Sequence, residues 1–160
     1  MNENEFAAQV QLLRGGLYRT AYLYLGAEAD ALDAVDEAVY KGLISCKKLR
    51  EPQYFATWMT RILINECKNE LRRRKRTVSV PELPETAAEE FDALPLKDAV
   101  FRLPQDLKEP VILRYFSGLT TKETALALEI PQGTAATRLK RALKLLRLDF
   151  LEEDVFDEPK

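Results

Sequence analysis

Histidine is absent from the 160 residues, and cysteine occurs only at Cys46 and Cys67. Without histidine there is no imidazole base, no Ser-His-Asp triad and no histidine metal ligand. Two cysteines alone make no metal site. No apolar run approaches the ~20 residues that a membrane span needs. The acidic start Met1-Asn2-Glu3-Asn4-Glu5 is unlike a signal or transit peptide. These absences place the chain in the cytoplasm, where a disulfide between the two cysteines is not expected. A glycine-rich phosphate loop is missing too. The chain therefore does not read as an enzyme, and no catalytic residue, metal, cofactor or small-molecule substrate is expected. What is present is 46% hydrophobic residues, enough to exclude wholesale disorder. The length suits one ordinary domain or two very small ones.

Proline is missing before Pro52 and again between Pro52 and Pro81, then frequent: Pro84, Pro95, Pro104, Pro110 and Pro131. Long helices are expected first and short, punctuated ones later. From Glu3 to Leu25 the apolar set Phe6, Val10, Leu13, Leu17, Ala21 and Leu25 has helical spacing. Gly15-Gly16 is a point where this helix can bend or break, and Gly26 is placed to end it. A second helix is expected over Ala29–Leu49, with Leu32, Val35, Val39, Leu43 and Cys46 inward. A third is expected from Gln53 to about Arg76, with Phe55, Trp58, Met59, Ile62, Leu63, Cys67 and Leu71 on one stripe. No strand-like alternation of useful length occurs.

Residues Thr77–Ala93 contain two prolines, five acids and no basic residue, a linker composition with room for a short acidic helix at 87–91. Beyond it four short helices are expected: Leu96–Leu103, Gln105–Phe116, Thr121–Leu128 and Pro131 to about Phe150. Pro110 is awkward inside the second of these and fits better in the first turn of a helix starting near Lys108. The fold class is thus all-α: a three-to-four-helix domain over 1–76, an acidic flexible linker over 77–93, a four-helix domain over 94–151, and an acidic tail over 152–160.

A net charge of −2 conceals segregated charge. Arg61–Arg76 carries seven basic and two acidic residues, and Arg138–Arg147 carries five basic and none acidic. Acids collect on the second helix, the linker and the tail. Two basic patches on two small domains suit nucleic acid, although solvated helix faces give the same pattern. An overall acidic balance argues against strong DNA binding by the chain alone.

The segment Gly118–Ala142 has the form of a helix-turn-helix. Thr120 and Glu123 fit a capping box, Ala125 is small where two helices approach, and Glu129–Gly133 supplies the turn. The second helix buries Ala135, Leu139, Ala142 and Leu146, leaving Thr137, Arg138, Lys140, Arg141 and Lys144 on or near exposed faces. Short polar and long basic residues there suit a major groove. An ordinary helical hairpin with a basic face shares the pattern.

Several of these residues resemble a known family. Leu103-Pro104, Ile112–Thr120, Gly133-Thr134 and Arg138–Ala142 are similar to the C-terminal DNA-binding domain of bacterial RNA polymerase sigma factors. Asp33-Ala34-Val35-Asp36 resembles the acidic signature of that family's core-binding helix. Phe55, Trp58, Arg61-Ile62, Asn65 and Leu71–Arg74 resemble its promoter-melting helix. The absence of intervening domains resembles the short extracytoplasmic-function group. There are departures: Val39-Tyr40 replaces the usual Gln-Glu, Ala135-Ala136 replaces a branched residue followed by a long polar one, and Thr124 replaces isoleucine.

The resemblance implies a transcription initiation factor that binds core RNA polymerase, directs it to promoters and assists melting. It implies upstream (minus-thirty-five) contacts from Thr134, Ala136, Thr137, Arg138, Lys140, Arg141 and Lys144. Minus-ten and melting contacts would come from Arg50, Gln53, Tyr54, Arg61, Asn65, Lys68, Arg72 and Arg73. Core-polymerase contacts would come from Asp33, Asp36, Val39 and Tyr40. The implied partners are core polymerase, promoter DNA and an anti-sigma protein, often membrane-bound. Two other readings stand beside it. One is a stand-alone helix-turn-helix regulator, which would need a dimer seam that is not visible. The other is a sigma-like interaction module without promoter activity.

Overall fold

A computed structural model describes residues 1–76 and 94–149. The expected linker at 77–93, its short acidic helix and the tail at 152–160 lie outside the described residues. Every regular element among the described residues is helical: α1 (Glu3–Leu25), α2 (Glu28–Ser45), α3 (Phe55–Arg76), α4 (Leu94–Arg102), α5 (Gln105–Val111), α6 (Thr121–Leu128) and α7 (Gln132–Asp149).

α1 begins on a capping box. The Asn2 side chain accepts from Glu5 N–H at 2.8 Å, and Glu5 Oε1 accepts from Asn2 N–H at 2.9 Å. It ends on Gly26, which adopts φ +76° and donates back to the Tyr22 carbonyl. Gly15-Gly16 does not break the helix. The packing of α1 on α2 and α3 outweighs the ~1 kcal/mol propensity cost of each glycine.

The second helix corrects its sequence reading. It stops at Ser45 and tightens into a 3₁₀ turn over Cys46–Lys48. Its inward face is Ala31, Ala34, Val35, Ala38 and Gly42, whereas Leu32 and Leu43 face outward. Small residues let α2 lie close on α1 and α3. A Cβ on Gly42 would stand 3.0 Å from both Met59 Sδ and a Phe6 ring carbon. In α3, Phe55, Met59, Leu63 and Cys67 are buried as expected, while Trp58, Ile62 and Leu71 are partly buried at the edge of the core.

α5 starts at Gln105, so Pro110 stands in its interior rather than in a first turn. Proline has no N–H to give to the carbonyl four residues back and crowds that carbonyl. The chain then widens into a π turn over Ile112–Phe116. Ser117 N–H bonds to the Ile112 carbonyl at 2.9 Å, and Leu119 N–H to that of Leu113 at 3.0 Å. Gly118, at φ +80°, makes this exit possible.

α5 and α6 pack on α7, and the two halves pack on each other through α3 with α6, and through α1 with α4 and the π turn. The end of α1 is therefore buried all round, from Thr20 to Gly26. Tyr22 meets Phe101 edge-on at 6.1 Å, and buried residues of both halves form one contiguous cluster.

Candidate nucleic-acid interface

The helix-turn-helix forms as its residues dictate. Thr120 Oγ1 accepts from Glu123 N–H at 3.0 Å and Glu123 Oε1 from Thr120 N–H at 2.8 Å, so α6 starts on a complete capping box. α6 ends at Glu129, which takes the left-handed conformation (φ 59°) usually left to glycine. On α7, Ala135, Leu139, Ala142 and Leu146 are all buried. This turns Gly133, Thr134, Thr137, Arg138 and Arg141 together around a shallow groove of about 310 Å³ at the start of the helix. Ala136 and Lys140 are exposed but lie outside the groove lining, and Lys144 is exposed one turn farther along. Thr124, the departure on α6, is wholly buried, and its hydroxyl has no hydrogen-bond partner.

On α3 the spacing of Arg61, Asn65, Lys68 and Arg72 places them on one stripe. Arg61, Asn65 and Arg72 are exposed and Lys68 is partly so. Arg73 points off this stripe and pairs with Glu70 at 2.7 Å, while Arg72 donates to Asn69 at 2.8 Å. Arg50, Gln53 and Tyr54 are exposed just before α3, Tyr54 at 52%. Asn65 lies ten residues into the helix, ~15 Å from its start, so these three residues and Asn65 occupy different parts of the surface. Arg74 belongs to the basic run by sequence but is structural. It bonds the Leu25 carbonyl at 2.9 Å and pairs with Asp30, tying α3 to the α1–α2 corner.

A third surface lies on α2. Asp33, Asp36 and Tyr40 are exposed and Val39 partly so. Asp36 pairs with Arg14 at 3.4 Å in the open, a contact of little weight. Sequence reasoning missed what surrounds them: Leu32, Leu43 and Ile44 are all exposed, Ile44 at 65%. The available signal was the Ala31, Ala34, Ala38, Gly42 series, which is the true packing face.

Where the halves meet, Tyr24 donates to Glu109 Oε2 at 2.8 Å and Lys68 Nζ stands 3.4 Å from the same oxygen. Burial pushes the Tyr24 phenol well above its usual range, and the Glu109 carboxylate adds to the rise. Arg61 pairs with Glu129, and the Thr20 and Ser117 hydroxyls bond to each other. Both cysteines are buried, and burial pushes the Cys67 thiol up to about 12, which keeps it unreactive.

Residues 10–77 match the family described as Sigma-70 region 2, and residues 94–146 match Sigma-70, region 4. The chain is 32% identical over 143 residues to the RNA polymerase sigma factor SigV of Bacillus subtilis, covering 86% of each chain. It is 30% identical over 133 residues to the ECF RNA polymerase sigma-E factor of Escherichia coli, covering 71% of this chain and 70% of that one. Its fold is that of the sigma factor RpoE of Bartonella quintana, crystallised with the anti-sigma factor NepR. That match has a TM-score of 0.78 and 24% identity over 92% of this chain and 98% of the other.

Proposed function

We propose a division of labour within a chain that belongs to the extracytoplasmic-function sigma factors of the sigma-70 family. The chain acts in transcription initiation, and its partners are core RNA polymerase and promoter DNA. A stand-alone regulator is not favoured, because both halves match sigma regions.

Residues 94–151 read the upstream element. The observation that carries this is the groove at the start of α7, where two arginines and two threonines converge at a helix N-terminus. Arginine can take a guanine edge or a phosphate, and the threonines can reach base edges or the backbone. Thr134, Thr137, Arg138 and Arg141 are assigned to the groove. Ala136, Lys140 and Lys144 are assigned to its flanks, where Ala136 offers a thymine methyl an apolar contact.

Residues 1–76 grip the minus-ten element. Tyr54, with Arg50 and Gln53, is suited to an unstacked base at the entrance of α3. The stripe of Arg61, Asn65, Lys68 and Arg72 follows the strand, and Arg73 makes a lateral phosphate contact. Extruding a base costs a few kcal/mol, which such contacts offset. The α2 face of Asp33, Asp36, Val39 and Tyr40, extended by Leu32, Leu43 and Ile44, holds core polymerase through an apolar centre with an acidic rim. Residues 77–93 join the two units.

No helix among the described residues is long and apolar enough to cross a membrane, which is compatible with work beside polymerase in the cytoplasm. An anti-sigma protein, membrane-anchored in our reading, is the expected inhibitor, since RpoE was crystallised with one. The test is gel filtration with purified core polymerase followed by run-off transcription. Co-elution with promoter-specific transcripts is expected. Co-elution without transcripts would leave an interaction module, and no co-elution would remove the assignment of the α2 face.

A further inference from the structure

The cations of α7 differ from those of α3 in their partners. Arg61, Lys68, Arg73 and Arg74 all pair with carboxylates. Arg138, Lys140, Arg141 and Lys144 make no ion pair with a described residue. Three carboxylates of the second half are committed elsewhere: Glu109 and Glu129 face the first half, and Glu123 closes its own capping box. An apolar neighbour stands beside these cations. Leu145 lies four residues after Arg141 and seven after Arg138, hence on their side of the helix, and is 38% exposed.

The chain supplies a segment of complementary chemistry directly after α7. Residues 150–160 hold five acids, Glu152, Glu153, Asp154, Asp157 and Glu158, against one base, Lys160. Phe150, Leu151, Val155 and Phe156 are interleaved with them. At the rise of an α-helix, Lys144, Arg141 and Arg138 stand ~8, ~12 and ~17 Å back from Asp149. Extended chain covers up to ~3.4 Å per residue, so Glu152–Asp154 reach ~10–17 Å from Asp149 and Glu158 reaches ~30 Å. A chain that reverses at 150–151 can therefore lay its acids along all three cations. A tether this short gives a local concentration in the millimolar range, so millimolar affinity is enough for occupancy. The acidic stretch at 77–93 is tied to α3 and α4 at its two ends, whereas residues 150–160 start from α7 itself.

We propose that residues 150–160 fold back along α7 and hold its cationic face with their carboxylates, as a covalently attached competitor of duplex DNA. Phe150 and Leu151 cover Leu145 at the reversal. Glu152–Asp154 pair with Lys144, Arg141 and Arg138, and Asp157 and Glu158 reach the groove at the start of the helix. The competition rests on the assignment of α7 to the upstream element; the docking of the tail does not. DNA must then displace carboxylates from α7 as well as counterions from itself, so the free chain binds duplex weakly.

The test uses the free full-length chain and no polymerase. A nitroxide is attached at Lys160→Cys, both native cysteines being buried. It should broaden the amide NMR signals of residues 134–145 and spare those of α2. The broadening should fade in about 1 M salt, where the screening length falls to ~3 Å. No broadening on α7, or broadening centred on the α3 stripe, overturns the proposal. Broadening of an isotope-labelled chain by a separate spin-labelled one would make the occupant a second copy and overturns it too. In a second arm, Glu152→Gln, Glu153→Gln, Asp154→Asn, Asp157→Asn and Glu158→Gln are combined. Affinity for a short random-sequence duplex should rise about tenfold, and its log–log salt dependence should steepen by ~0.9 for each cation freed. Broadening on α7 with an unchanged salt dependence would overturn the competition and remove that helix from DNA binding while the docking stands, so the two readings fail separately.

Discussion

The two halves of the chain arrive at helical packing by opposite routes. In the first half the middle helix packs through its smallest residues, Ala31, Ala34, Ala38 and Gly42, and turns Leu32, Tyr40, Leu43 and Ile44 outward. In the second half α7 packs through an ordinary apolar stripe and turns its polar residues outward. The proposed interfaces are therefore written in large apolar residues on α2 and in threonine and arginine on α7. The partners proposed for them fit the difference: a protein surface rewards apolar anchors, and DNA rewards cations and hydrogen-bond donors.

The comparison is broken most severely at Gly42. A leucine there would force its branches into Met59 and Phe6, which already lie 3.0 Å from the position of a Cβ. We expect Gly42→Leu to lower stability by about 3 kcal/mol, the upper part of the overpacking range, measured by urea denaturation. A loss below ~1 kcal/mol would show that α2 does not depend on close approach.

Ile44→Asp sharpens the comparison from the other face. At 65% exposure the substitution should change stability by less than ~0.5 kcal/mol. It should weaken core-polymerase binding by ~2 kcal/mol, as loss of an apolar anchor does. Titration of labelled polymerase reads the second quantity. Loss of folding with intact binding would restore Ile44 to the core and remove it from the interface.

A smaller effect is expected at Thr124. Its buried hydroxyl has no partner, and an unsatisfied hydroxyl costs about 1–3 kcal/mol. Thr124→Val keeps the shape and should raise the unfolding free energy by ~1 kcal/mol without changing DNA binding. Destabilisation would mean that the hydroxyl is satisfied in solution.

What was legible in the residues tracks these physics. The capping box at Thr120 and Glu123, the stop at Gly26 and the inward stripe of α7 follow from local chemistry, and the structure has all three. The face of α2 was misread because periodicity weights large residues, whereas packing there is set by how closely backbones approach. The π turn after Pro110 was hidden because it is a response of the following backbone rather than a preference of any one residue. The turn at Glu129–Gly133 was read, but the left-handed backbone at Glu129 was not, since that position carries no glycine. Of the site, the α7 residues were readable because spacing alone puts them opposite the core. The pairing of Arg61 and Lys68 across the two halves depends on tertiary docking, which no local pattern encodes.

The central claim is that one half reads duplex DNA and the other holds melted DNA. Permanganate footprinting of polymerase complexes carrying Asn65→Ala or Arg141→Ala tests it most directly, beside gel shifts on duplex and pre-melted templates. Asn65 is exposed on the α3 stripe and offers both a donor and an acceptor. Its loss should leave closed binding nearly intact and reduce thymine reactivity in the minus-ten segment, with rescue on a pre-melted template. Arg141 lines the α7 groove. Its loss should weaken duplex binding by about 1–3 kcal/mol if it contacts a base edge, with no rescue by pre-melting. Normal opening by Asn65→Ala together with normal binding by Arg141→Ala would contradict the account.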